Sequence, residues 1–124
     1  MKPVVIRYTQ SKEYFFKEGC FINELSNRAQ DDALSIARAR VRPGERTRRH
    51  RLHDRIERYV VLQGNGEVEL DDLPPQAVSA GDVVTIPVGC PQRIRNTGTT
   101  DLVFLALCTP RFVPECYVEM DDGP

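Results

Sequence analysis

Gly44-Glu45-Arg46-Thr47-Arg48-Arg49-His50-Arg51-Leu52-His53-Asp54-Arg55-Ile56-Glu57-Arg58-Tyr59-Val60-Val61-Leu62-Gln63-Gly64 holds two short β-type runs, residues 48–52 and 57–63, between bounding glycines. Side chains alternate on a strand, so His50 shares a face with Arg48 and Leu52, and Glu57 shares one with Tyr59. By the same parity His53 points away from His50. The Gly64-Asn65-Gly66 step that follows predicts a tight hairpin, with residues 67–70 returning from it.

Outward from this stretch the period stays at two. In residues 34–42, Ser35, Ala37, Ala39 and Val41 point one way and Leu34, Ile36, Arg38 and Arg40 the other, until Pro43-Gly44 turns the chain. Residues 76–79, 83–87, 92–96 and 102–108 read as further strands, separated by Ala80-Gly81-Asp82, Gly89-Cys90-Pro91 and residues 97–101. Asp71-Asp72-Leu73-Pro74-Pro75 is a loop, because paired prolines do not sit in a central strand. Upstream, residues 4–8 and 20–25 read as strands, and 27–34 as a loop or a single turn. The tail, 109–124, is expected to pack outside and fray. Many short strands broken by Gly and Pro predict an all-β sandwich or barrel.

A second stretch answers the first: Gly81-Asp82-Val83-Val84-Thr85-Ile86-Pro87-Val88-Gly89-Cys90-Pro91-Gln92-Arg93-Ile94-Arg95-Asn96. Together the two resemble the motifs of the cupin superfamily, G(X)5HXH(X)3-4E(X)6G and G(X)5PXG(X)2H(X)3N. Gly44, His50, Glu57 and Gly64 stand on the first, and Gly81, Pro87, Gly89 and Asn96 on the second. Leu52 and Gln92 stand where the family carries histidines. The resemblance implies a double-stranded β-helix, that is, a jelly-roll barrel. The expected layout is a single cupin domain over 1–124, with N-terminal strands in 4–25 and a barrel core over about 34–108. The resemblance also implies a homodimer and a divalent metal ion (Fe, Mn, Ni or Zn) inside the barrel.

The ligand set that survives for such an ion is His50, Glu57 and Gln92, with His53 reaching it only through a bulge. Without a metal, His50 is a general acid or base and Glu57 its partner. Tyr59 joins them as a candidate proton or hydrogen-bond donor, and Arg48 and Gln92 as substrate-binding groups. These residues point to a small polar or anionic metabolite. Its chemistry would be isomerisation, epimerisation or elimination, with a dioxygenase as a weaker enzyme reading and a non-catalytic binding module or a packed structural barrel as alternatives.

The chain has 124 residues, 28% of them charged, and a net charge of −1. That size suits one core, and near-neutrality disfavours general polyanion binding. The arginines at 38, 40, 42, 46, 48, 49, 51, 55 and 58 form a basic strip, fitting an anionic ligand, an acidic partner or a solvated strand face. Nucleic acid is disfavoured, because Trp is absent and no aromatic platform interleaves the arginines. No apolar run approaches a membrane span, and the opening Met-Lys-Pro-Val-Val-Ile-Arg-Tyr meets charge too early for a signal peptide, so the expected compartment is the cytoplasm. Cys20, Cys90, Cys108 and Cys116 show no Cys-x-x-Cys spacing and read as packed free thiols, with Cys90 the one candidate for reactivity and Cys108 on a face turned to the cavity.

Overall fold

The computed structural model describes residues 1–122. It is all-β, with strands β1 (Tyr14–Phe16), β2 (Cys20–Ser26), β3 (Ser35–Val41), β4 (His50–Leu52), β5 (Ile56–Gln63), β6 (Asn65–Leu70), β7 (Gln76–Ser79), β8 (Val83–Ile86), β9 (Gln92–Asn96), β10 (Leu102–Thr109) and β11 (Tyr117–Glu119). Among the described residues the helical pieces are two short 3-10 turns, Gln10–Lys12 and Pro114–Cys116. The strands form two antiparallel sheets. One has six strands in the order β1-β2-β3-β10-β5-β8, the other five in the order β11-β4-β9-β6-β7.

The alternation that predicts these strands also sorts their faces. On β5, Glu57, Tyr59 and Val61 are buried, and on β3 Ser35, Ala39 and Val41 are. Val41, Val61 and Phe104 from the larger sheet pack against Val68, Val78 and Ile94 from the smaller. Burying a Val, Ile or Phe side chain contributes about 1.5–3 kcal/mol, so this apolar half of the interior holds the sheets together. The outer face of β3 carries charge. Arg40 donates to Glu13 at 2.7 and 3.1 Å and to Asp101 at 3.2 Å.

Three expectations are corrected. The Asn65-Gly66 step closes no hairpin: β5 and β6 lie in different sheets, and the chain crosses between layers here. Gly66 serves close packing, since a Cβ there would lie 2.8 Å from Leu102 Cδ2 and 3.0 Å from the Arg95 carbonyl oxygen. Residues 4–8 form no strand and are exposed, their backbone groups pairing with neither sheet. The tail does not fray through 122. It supplies β11, which pairs with β4, and Asp122 accepts from the Arg49 backbone N–H at 2.6 Å while its carbonyl accepts from Arg93 at 2.6 Å. Residues 123 and 124 lie outside the described residues.

All four motif glycines, Gly44, Gly64, Gly81 and Gly89, have φ between +73° and +94°. Gly64 is the most constrained of them: a Cβ would sit 2.7 Å from the Asp101 carbonyl oxygen, whereas Gly44 has open space around it. Gly64→Ala therefore adds a backbone clash to left-handed strain and is expected to cost about 3 kcal/mol or more, against roughly 1 kcal/mol for Gly44→Ala. Urea unfolding of both variants checks this; equal costs would show that the 64–101 approach is not tight.

Candidate functional site

The turn Phe16–Gly19, closed by Gly19 N–H donating to the Phe16 carbonyl at 2.9 Å, joins β1 to β2 and delivers Glu18. The Glu18 carbonyl accepts from the Arg48 N–H at 2.6 Å, which pins this turn against the approach to β4. β4 brings in His50 and Leu52, β5 brings Glu57 and Tyr59, β10 brings Phe104, Ala106 and Cys108, and β11 brings Tyr117. These side chains line one cavity of about 60 Å³. A water needs roughly 10–15 Å³ on this measure, so the space suits a small molecule.

His50 is 2% exposed. Its Nδ1 lies 2.8 Å from the Arg48 carbonyl and its Nε2 3.1 Å from Glu18 Oε2, and its ring stacks on Tyr117 with centroids 4.9 Å apart. A carbonyl only accepts, so Nδ1 carries a hydrogen. Nε2 is then the nitrogen that faces the Glu18 carboxyl. Glu18 thus takes the partner role that the sequence gives to Glu57, and sequence reading misses it. The Lys17-Glu18-Gly19 turn signal was there, but nothing in the sequence aims that turn at His50.

Glu57 faces His50 from the opposite sheet rather than from an adjacent strand. Its Oε1 accepts from Gln92 Nε2 at 2.7 Å, and the Cys108 thiol lies 3.7 Å from Oε2. Gln92 Oε1 in turn accepts a short hydrogen bond from the Tyr59 hydroxyl. Burial, reinforced by the nearby Glu18 carboxyl, pushes the Glu57 pKa up to about 7, against the lowering effect of His50 and of the Gln92 and Cys108 hydrogen bonds. Burial also raises Tyr59 and Cys108, so both stay protonated at neutral pH.

The structure brings together His50, Glu57, Tyr59 and Gln92, with Gln92 behind Glu57 rather than lining the cavity. It does not bring in Arg48 or His53. Thr47 and His50 are both buried, so the alternation slips across 47–49, where the chain is not yet a strand, and Arg48 turns outward. Its side chain is half exposed and paired with Glu119 at 2.7 Å. His53 is exposed beside Asp54 at 3.0 Å. The arginine strip is largely paired on the surface, with Glu13, Glu45, Asp122 and Glu119. Cys90 is half-buried, its pKa raised by burial, which does not suit a reactive thiolate.

The divalent ion implied by the motif resemblance needs converging donors. Among the described residues no group of three His, Cys, Asp or Glu side chains is placed to hold one. Leu52 offers no donor, Gln92 commits both amide atoms to Tyr59 and Glu57, and His50 commits Nδ1 to the Arg48 carbonyl while Nε2 lies beside Glu18. The residues present do not fit a resident divalent ion.

A family model described as a cupin domain matches residues 37–108. The chain belongs to the cupin family. This cupin is 32% identical over 117 residues to an uncharacterized protein of Methanocaldococcus jannaschii, covering 93% of each chain. It is 38% identical over 75 residues to an oxalate-binding protein of Thermotoga maritima, covering 60% of this chain and 61% of that one. Among solved structures it resembles a predicted oxalate decarboxylase from Thermotoga maritima, with TM-score 0.76 and 25% identity over 86% of this chain and 99% of the other. It also resembles a Cupin 2 conserved barrel domain protein from Salinispora arenicola, with TM-score 0.73 and 20% identity over 87% and 90%. No helix among the described residues is long and apolar enough to cross a membrane.

The raised pKa of Glu57 fixes the sign of a pH effect. From its ordinary value of 4.5 up to about 7 the native state keeps a proton that the unfolded chain has released. This contribution to stability is therefore full below pH 4.5 and is lost as pH rises through 7, by about 3 kcal/mol in all. Glu57→Gln is expected to flatten that part of the pH profile. Urea unfolding of both proteins between pH 5 and 8 checks it, and parallel profiles would mean that Glu57 is ionised throughout.

Proposed function

We propose that this cupin acts as one domain that binds a small polar metabolite between its sheets, and that His50 and Glu57 move a proton on it. The observation that carries the reading is the cavity itself. Its apolar walls close over two proton-bearing groups from opposite sheets, His50 with Glu18 and Glu57 with Gln92. A carboxyl group whose pKa is about 7 exchanges a proton readily at neutral pH, which suits general acid–base chemistry.

The chemistry this supports is proton transfer beside a carbonyl: isomerisation, epimerisation or elimination. The Glu57 carboxylate takes the proton from the carbon next to the carbonyl. The C–H electron pair moves into the new C=C bond, and the carbonyl oxygen receives a proton from His50 Nε2, which lies beside Glu18. Return of the Glu57 proton to carbon, as the enol O–H gives its proton back to His50, completes an epimerisation or isomerisation; departure of a β-hydroxyl as water with the Glu57 proton, as the enol O–H gives its proton back to His50, completes an elimination. Tyr59 acts here as a positioning residue, because its hydroxyl fixes Gln92, which fixes Glu57. A dioxygenase is not supported by this donor set.

The second reading is a binding module without turnover. The name of the Thermotoga maritima relative, an oxalate-binding protein, favours it. Two further expectations belong to the same proposal. Four free cysteines suit a cytoplasmic protein. Exposed Val4, Val5, Ile6 and Tyr8, in a segment that joins neither sheet, suit a homodimer in which a second copy covers them.

Incubation in D2O with a panel of small ketoses, keto acids and hydroxyaldehydes tests the catalytic reading by proton NMR. Deuterium is expected to enter the position next to the carbonyl of at least one compound. The rate should fall by roughly 10²–10⁴ in His50→Ala and in Glu57→Gln. Equal exchange in the wild type and both variants, or none with any compound, would overturn catalysis; saturable cavity binding without exchange would leave the binding module.

A further inference from the structure

We infer that the ligand of this cavity carries an ammonium group. The inference rests on the reading that the cavity is the ligand site, not on turnover. The charged side chains that line it are Glu18, Glu24 and Glu57, joined by His50, and no lysine or arginine lines it. An anionic ligand would face these carboxyl groups with no lysine or arginine to pair with, and with His50 Nε2 already beside Glu18. Arg48, the residue placed by sequence to meet an anion, is held outside on Glu119. Lys17 is also outside the lining, with its ammonium 4.9 Å from the centroid of the Tyr117 ring.

A second, independent feature marks the cavity as a ligand site. Tyr117 is 9% exposed and lines the cavity, yet its hydroxyl oxygen has no hydrogen-bond partner among the described residues. A buried hydroxyl without a partner is costly, and a polar group of the ligand, an N–H included, would satisfy it. The wall adds the third element of a cation site. Phe16, Tyr59, Phe104, Phe112 and Tyr117 all contribute rings to the lining. Aromatic faces attract cations, and alkylated ammonium groups most readily because they are weakly hydrated. The cavity of about 60 Å³ limits the ligand to a short amine.

The test uses a matched pair of probes, n-butylammonium and n-butyrate, with oxalate as the third, in an amine-free buffer. Binding is followed by calorimetry and by the methyl resonances of Ile22, Ile36 and Leu52, which line the cavity. Butylammonium is expected to shift these methyls saturably and to bind at least tenfold more tightly than butyrate or oxalate. Glu24→Gln at the exposed rim, and Tyr117→Phe inside, should each weaken it several-fold. Butyrate or oxalate binding as tightly as the amine, with the same methyls shifting, would overturn the ammonium inference and leave the cavity as the ligand site. Amine binding unaltered by either variant would also overturn it. If none of the probes moves those methyls, both readings fall.

Discussion

Glu57 carries a carboxyl group into the space between two packed sheets, where it is only 8% exposed. An isolated buried carboxylate is expensive enough that a protein either neutralises it or surrounds it with donors. Here both happen in part. Gln92 donates to one oxygen, the Cys108 thiol approaches the other, and Tyr59 holds Gln92 in the orientation that makes the donation geometrically correct. The remaining penalty keeps the proton on Glu57 far above the acid range. His50 meets the same constraint from the facing sheet, with Nδ1 bonded to a backbone carbonyl and Nε2 set beside Glu18. The polar end of the interior is therefore a set of mutually dependent groups rather than a row of independent side chains.

That dependence explains how the motif residues divide. The four left-handed glycines shape turns, and Asn96 donates to the carbonyls of Val41 and Thr100 while accepting from the Gly98 N–H. These positions build the barrel. Of the motif positions, His50, Leu52 and Glu57 line the cavity, Leu52 as an apolar wall, while Gln92 gives its amide to Glu57. The fold and the chemistry are separable, which is why membership of the family does not by itself name a ligand.

The fold was legible because period-two alternation on β3, β5 and β9 is a direct consequence of strand geometry, and the turn glycines mark where it stops. What escaped depended on tertiary structure. Asn65-Gly66 reads as a hairpin because local turn chemistry cannot tell a reversal within one sheet from a crossing between two. Arg48 was misplaced because parity holds only inside a strand, and the strand begins at His50. Glu18 and Tyr117 reach the cavity from a turn and from the C-terminal strand, 32 residues before and 67 after His50 in the chain, and no local pattern links them to it. Of the cavity residues, those on the motif strands could be read and those brought by flanking segments could not.

The molecule that results pairs a carboxyl acid near neutrality with an imidazole on the opposite wall, in a small chamber rich in aromatic rings and without lysine or arginine along its lining. The proposed acid–base role depends on Glu57 exchanging its proton in the neutral pH range. Carbon-13 NMR titration of the Glu57 side-chain carboxyl, in protein labelled at glutamate and assigned by comparison with Glu57→Gln, measures this directly. The account predicts a midpoint near 7. A midpoint at the ordinary glutamate value, about 4.5, would contradict it.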